Sequence, residues 1–393
     1  HPDLVKIGRH HVRGAVISVP FHAESDLVFV SRFVERYSTT YGETPDLFSA
    51  QAFDAANLVL VQLAAGVTSV RIMWGGRGHL SWRAQIRASE LAGPRLYIAS
   101  PGLEGDPPYW PNSVVVTTES EARNAVRDQV AAGYDFIKVY HQLQLPLYDV
   151  IINEARLLDI PVIGHVPRSM SADYAIAAGQ ETIEHFSGFA PHATTTGNWS
   201  GEIDASKLAG LIEHIRLKGT WNCPTLTVRS RSASQVDELR SNPAFALLSE
   251  TTRTWLDDSL TQPPTLDRST EVRLLGEVAK ALHDAGVGLL VGTDAGVQYV
   301  YPGFSIHEEL ARFVDAGLTP YESLRAATVN AADALGELDV AGTVEVGKRA
   351  DLLLLDTDPF ADIANVNRRV GIMAAGAWYA QSALMDMIGA DPE

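Results

Sequence analysis

Four side chains whose types could do hydrolytic chemistry stand at wide intervals along the chain: Lys138, His165, His185 and Asp294. Lys138 sits in the run Tyr134-Asp135-Phe136-Ile137-Lys138-Val139-Tyr140, where an unpaired ammonium would pay a heavy desolvation cost and be pushed toward the neutral amine. A neutral amine can take up carbon dioxide as a carbamate, an anionic oxygen ligand able to bridge two metals. His165 ends PVIGH and His185 ends TIEH, and the intervals of 27 residues (165 minus 138) and 20 residues (185 minus 165) each match one strand-helix unit. Asp294 closes LLVGTD before Ala295 and Gly296, small residues that leave room for a substrate. A carboxylate there can touch a metal, take a proton from attacking water and return it to a leaving amine. Together the four offer nitrogen and oxygen donors suited to zinc or a similar divalent ion. The plainer readings are an ion-paired or surface lysine, structural histidines and a helix-capping aspartate. The succession of strand ends beside a buried lysine favours metal over them.

Around these four, Tyr140 and Arg168 follow ligand positions closely enough to face a substrate, binding a carboxylate or polarising a carbonyl, with simple packing as the alternative. Trp74, Tyr109 and Trp110 follow strand ends and read either as pocket lining or as packing under a lid. His79, His141, His192, His214, His283 and His307 have no motif behind them and read as helix-surface or loop residues.

The elements that must position these groups follow from periodicity. From about residue 65, short apolar runs alternate with amphipathic stretches, the pattern of a parallel sheet with crossover helices. Strands are predicted at 68–73, 95–100, 135–140, 161–165, 182–185, 220–223 and 288–294. Thr118-Glu119-Ser120-Glu121 has the form of a capping start for a helix over 122–132, and Gly133, Gly179 and Gly286 stand where helices should stop. The polar stretch 225–282 is too long for an ordinary connection and is placed where barrels carry lids. Helices are predicted over 304–316 and 320–335, and short strands at 342–344, 351–355 and 370–380. An eighth strand must come from the first 65 residues if the sheet is to close without an edge, and 14–20, GAVISVP, is the best candidate, with helices over 25–37 and 48–63. The expected fold is therefore α/β: a (β/α)8 barrel over 64–336, completed by strand and helix from 1–63, with a small C-terminal β annex over 337–393.

Composition narrows the partners. With 46% hydrophobic and 20% charged residues, the chain of 393 has the make-up of a packed globular protein. A net charge of -17 repels phosphate backbones and anionic membrane surfaces, so neither nucleic acid nor membrane is expected. No apolar run approaches the roughly 20 residues of a membrane span. The single cysteine, Cys223, cannot form an internal disulfide, and no Cys/His cluster suggests a structural zinc site. The chain opens on His1 rather than Met, so any leader is expected to be gone already. Periplasmic, secreted and cytoplasmic locations all stay open, and a homo-oligomer is compatible with this reading.

The motifs AAGVTSVR, GPRLYIASPGLEGDPPYWP, AAGYDFIKVY, VIGHVPR, AAGQETIEHFSG and VGTDAG occur in order, followed by T-x-N-A-A-x-A-L-G (328–336) and GTVEVGKRADLLLLD. Over about residues 63–393, some five sixths of the chain, they resemble the amidohydrolase superfamily, within it the imidazolonepropionase-like and Xaa-Pro-dipeptidase-like branch. The resemblance implies a metal-dependent hydrolase of amide, peptide-like or cyclic C–N bonds. Lys138 would be its carboxylated bridging lysine, His165 and His185 its imidazole ligands, and Asp294 its metal-bound general base. The C-terminal strands would be what remains of the family's β-sandwich. One departure matters: the family carries a His-x-His pair on its first barrel strand, and this chain has none. Residues 12–60 resemble instead a segment of the periplasmic branched-chain amino-acid-binding proteins, which makes the chain chimera-like. One or two zinc-like ions are then the expectation, a single ion being within reach of the ligands that remain, and a folded barrel that does not catalyse is the alternative. His22, just past the candidate first strand, would be a replacement ligand or a solvated loop histidine; His10 and His11 lie at the wrong end of that strand and read as surface.

Overall fold

The computed structural model describes residues 60–110, 112–231, 240, 245, 268–295 and 300–388. Strand 14–20, the helix over 25–37, most of the helix over 48–63, His10, His11, His22 and most of the 225–282 insertion lie outside these residues, as does nearly all of the segment that resembles a binding protein.

Parallel strands dominate. They are β1 (Ser69–Ile72), β2 (Arg95–Ile98), β3 (Leu103–Glu104), β4 (Val114–Val115), β5 (Ile137–Val139), β6 (Val162–Gly164), β7 (Thr182–Glu184) and β8 (Trp221–Cys223). One sheet runs β4-β3-β5-β6-β7-β8 and a second pairs β1 with β2. A parallel bridge between Ala99 and Phe136 joins the two, and another between Asn222 and Leu289 extends the array past β8. The strands fall where the sequence predicts them, with β3 and β4 as additions. The last one is reduced to its single bridge at Leu289. The array is curled: Arg71 on β1 donates to Glu184 Oε1 on β7 at 2.9 Å, although β2, β5 and β6 separate the two strands within the sheet. Only side chains on the concave face of a rolled sheet can meet in this way.

Helices cover the convex side. They are α1 (Arg77–Arg87), α2 (Glu119–Ala132), α3 (Leu145–Leu157), α4 (Ala172–Ala178), α5 (Ala190–Ala193), α6 (Ala205–Lys218), α7 (Leu226–Arg231), α8 (Ser269–Asp284), α9 (Ser305–Asp315), α10 (Pro320–Ala327), α11 (Val329–Ala334) and α12 (Gln381–Met387). The capping start is present at α2, where Thr118 accepts from the Glu121 N–H and Glu121 reaches back to the Thr118 N–H. Gly133 and Gly179 end α2 and α4 at φ 89° and 91°, left-handed values that glycine adopts without steric cost. Val126, Ile151, Ala175, Leu211 and Val278 from the helices meet Ile137, Val139, Val162 and Ile183 from the strands in one apolar cluster. Strands β5, β6 and β7 are buried at every residue, as expected where one face meets helices and the other the interior of the roll.

The predicted helix over 320–335 is two helices, α10 and α11, because Thr328 leaves helical geometry at φ -124°, ψ -81°. In the C-terminal part, residues 342–344 form no strand. Strands β9 (Leu352–Leu355), β10 (Arg369–Ala374) and β11 (Ala377–Ala380) make an antiparallel sheet in the order β11-β10-β9. The predicted strand over 370–380 is a hairpin, since Ala375 and Gly376 both turn at positive φ, 49° and 82°. Leu63, Ala64, Ile372 and Leu384 form a small separate core that ties this sheet to the start of the described chain. Among the described residues no helix is long and apolar enough to cross a membrane.

Candidate active site

Three of the four singled-out residues follow the carboxyl-terminal ends of their strands, and the fourth lies inside one. Lys138 lies within β5, His165 directly follows β6, His185 directly follows β7, and Asp294 comes five residues after the Leu289 bridge. In parallel barrels this is the rim that carries chemistry. The turns that present them are conformationally costly. His185 and Asp294 adopt φ 60° and 57°, in the left-handed region that side chains with a Cβ avoid. Gly164 precedes His165 at φ 124°, and a Cβ there would lie 2.4 Å from the Val139 carbonyl oxygen, so only glycine lets β6 approach β5 this closely.

Lys138 is 4% exposed. Its Nζ lies 5.2 Å from the Trp74 ring centroid and 5.4 Å from that of Tyr140. Burial lowers its pKa, opposed by the charges of Asp294 and Glu184, a shift in the direction of the neutral amine. The Tyr140 ring spans from lysine to histidine, 5.3 Å from Trp74 and 4.2 Å from His165, and its hydroxyl accepts from Trp110 Nε1 at 3.1 Å.

His165 and His185 have ring centroids 4.6 Å apart, and burial holds the pKa of both down, His185 to about 3. They are neutral imidazoles, the form that ligates metal. The buried Nδ1 of His165 has no hydrogen-bond partner. The Thr225 hydroxyl lies 2.7 Å from the Pro224 carbonyl, to which it can donate, and 2.5 Å from His185 Nδ1. A hydroxyl proton given to that carbonyl leaves Oγ1 to accept from Nδ1–H, the arrangement that keeps the imidazole lone pair on Nε2. Asp294 Oδ2 lies 3.8 Å from that Nε2, too far for a hydrogen bond. The Asp294 side chain is 38% exposed, yet it stands in a recess, and desolvation raises its pKa against the pull of Lys138 and Arg229.

A cleft of about 480 Å³ opens beside these groups, its walls including His141, His165, Arg168, His185, Trp199 and Arg229. Of the two residues expected to face a substrate, Arg168 lines the cleft and stacks over Tyr109 at 5.6 Å, whereas Tyr140 is not part of its wall. Two wall residues escaped the sequence reading. His141 is no surface histidine: its ring lies 4.5 Å from those of Tyr140 and His165, its buried Nδ1 has no partner, and burial lowers its pKa to about 4. Its place at the end of the KVYH run is the signal that could have found it. Arg229 reaches the cleft from α7, and nothing in the sequence marks it. His192 also borders the cleft, paired with Asp173 at 3.0 Å.

Among the described residues no three His, Cys, Asp or Glu side chains are grouped so as to hold an ion by themselves. The nearest approach to a donor set is the close pair His165 and His185, with the Asp294 carboxylate 3.8 Å from His185 Nε2.

Residues 46–378 match the model of the amidohydrolase family. An imidazolonepropionase from Shouchella clausii is 36% identical over 106 residues, 25% of this chain and 23% of its own length, so the match spans about a quarter of that relative. Among solved structures, bottromycin amidohydrolase superposes with a TM-score of 0.70 at 26% identity, over 85% of this chain and 77% of that one. A Xaa-Pro dipeptidase with bound methionine in the active site superposes with a TM-score of 0.63 at 22% identity, over 86% and 82%, a likeness of fold. With its family match running through nearly all the described strands and helices, the chain belongs to the amidohydrolase family.

Proposed function

We propose that this chain hydrolyses a carbon–nitrogen bond in a small amide, dipeptide-like or cyclic, with one zinc-like divalent ion. The observation that carries the proposal is the convergence of two neutral imidazoles and a carboxylate beside a buried lysine at one rim of the curled parallel sheet. The names of the relatives, an imidazolonepropionase, an amidohydrolase and a Xaa-Pro dipeptidase, run in the same direction. We further infer that the barrel unit runs over 64–336 and that 337–393 is its β annex.

His165, His185 and Asp294, with Lys138 as its carbamate, are the residues that would hold such an ion, which would supply carbonyl polarisation and a more acidic water. Asp294 is the group placed to accept a proton from water and return it to a departing nitrogen, and burial raises its proton affinity. Arg168 and Arg229 offer guanidinium groups along the cleft for a carboxylate or carbonyl oxygen of the substrate. Tyr140 packs over Lys138 and His165 and limits water around the amine.

The test is metal content after reconstitution with zinc and bicarbonate, measured together with hydrolysis of a panel of dipeptides and aryl amides. About one equivalent of zinc is expected, lost with turnover in Lys138→Ala and Asp294→Ala. A reconstituted protein that binds no metal and turns over nothing would overturn the proposal in favour of a barrel that folds without catalysing.

A further inference from the structure

Glu309 has no carboxylate chemistry to perform at the cleft, yet it is a fully buried acid, 0% exposed, on α9. Its two oxygens accept from two consecutive backbone N–H groups 83 and 82 residues away, Leu226 at 2.8 Å and Thr227 at 2.7 Å. Those are the first residues of α7, so the carboxylate caps that helix from another part of the chain. Immediately before them stands Thr225, buried and held at φ 53°, a left-handed conformation that a β-branched residue keeps only when its surroundings impose it. Thr225 is the residue whose hydroxyl meets His185 Nδ1 at 2.5 Å, and Arg229, one turn further along α7, faces the cleft.

We propose that Glu309 is a positioning residue for this site: by clamping the start of α7 it holds Thr225 in its left-handed turn, and Thr225 in turn keeps the proton of His185 on Nδ1 and the lone pair on Nε2. The chain of contacts is continuous, from carboxylate to two amides, from amides to the adjoining turn, and from the threonine oxygen to the imidazole. Above the pKa of about 7 to which burial raises it, Glu309 is a carboxylate whose two oxygens both accept, and a glutamine cannot replace that form because its amide presents N–H donors to one of the two backbone donors. The first turn of α7 must then rotate or lose a bond, and Thr225 moves with it. Outer groups that orient a ligand imidazole commonly change metal affinity or rate 10- to 100-fold when removed, and a fall of about that size is expected for Glu309→Gln. The kinetic consequence rests on the hydrolytic reading above; the tautomer does not.

The experiment is nitrogen NMR of the whole chain carrying ¹⁵N-labelled histidine, treated with chelator, with the His185 signals identified by their loss in His185→Gln. The native protein should show His185 protonated at Nδ1 alone. In Glu309→Gln, compared at equal folded content by circular dichroism, the signals should move to a mixture of the two tautomers; Glu309→Asp, which keeps the charge but shortens its reach, should fall between and serves if the glutamine variant does not fold. Persistence of the pure Nδ1–H form in the folded variants overturns the proposal. A tautomer shift in a protein that hydrolyses no amide would leave the positioning role intact and sink the proposed function instead.

Discussion

Replacing Gly164 with alanine probes how the fold delivers His165 to the rim. The added Cβ would sit 2.4 Å from the Val139 carbonyl oxygen and 3.3 Å from the Lys138 side chain. The first contact is with backbone, which cannot swing aside as a flexible side-chain tip would. Forcing a non-glycine residue to φ 124° adds about 1–3 kcal/mol of strain, and overpacking a tight site adds about 1–3 kcal/mol. The sum, about 2–6 kcal/mol, compares with the 5–15 kcal/mol or so that typically separates a folded chain from its unfolded state. A fall in melting temperature of roughly 5–15 °C is expected. The backbone that moves carries both neighbours of the chemistry, because the His165 N–H donates to that same Val139 carbonyl at 3.2 Å and the Gly164 carbonyl accepts from Gln180 Nε2 at 3.0 Å. Differential scanning calorimetry of Gly164→Ala measures the effect. Gly210→Ala on the exposed side of α6, where a Cβ meets nothing within 4 Å, is the control and should be neutral or slightly stabilising. A Gly164→Ala protein that melts with the native chain would refute the argument that this glycine sets the β5–β6 approach.

Two further outcomes follow from buried charges. Burial pushes the Glu309 carboxyl up to about 7 from its ordinary 4.5, so the folded chain holds a proton there that the unfolded chain has released. The stabilisation is whole below about pH 4.5 and is lost as pH rises through 7, a difference of about 3 kcal/mol. Urea midpoints at pH 5 and pH 8 should therefore fall further for the native chain than for Glu309→Gln, and parallel pH profiles would count against it. Arg71→Met strands Glu184, 3% exposed, without its 2.9 Å partner and should cost about 3–5 kcal/mol in urea unfolding; Arg71→Met with Glu184→Met should recover part of that loss, and a single variant within 1 kcal/mol or so of native would show the pair to be idle.

Periodicity and punctuation carry much of the architecture. The apolar runs around Ile137, Ile163 and Ile183 can only be strands buried on both faces, and Thr118 with Glu121, like Gly133 and Gly179, marks helix ends through local chemistry that needs no tertiary partner. Such signals depend on neighbours a few residues apart, which is why they are legible in a string of letters. They fail where a distant contact decides: the strand around Leu289 shrinks to one bridge, and Thr328 breaks a helix whose pattern runs on without interruption. At the site, Lys138, His165, His185 and Asp294 announce themselves by type and spacing, and a succession of strand ends is enough to bring them to one rim. Which atoms are free there is a different matter. His185 Nδ1 meets the Thr225 hydroxyl, Thr225 sits in a left-handed turn beside amides that Glu309 accepts from 82 and 83 residues away, and His141 and Arg229 reach one cleft from segments far apart in the chain. Sequence determined the kinds of group this rim would present; their protonation, orientation and company are properties of contacts between remote segments, and those exist only once the chain has folded.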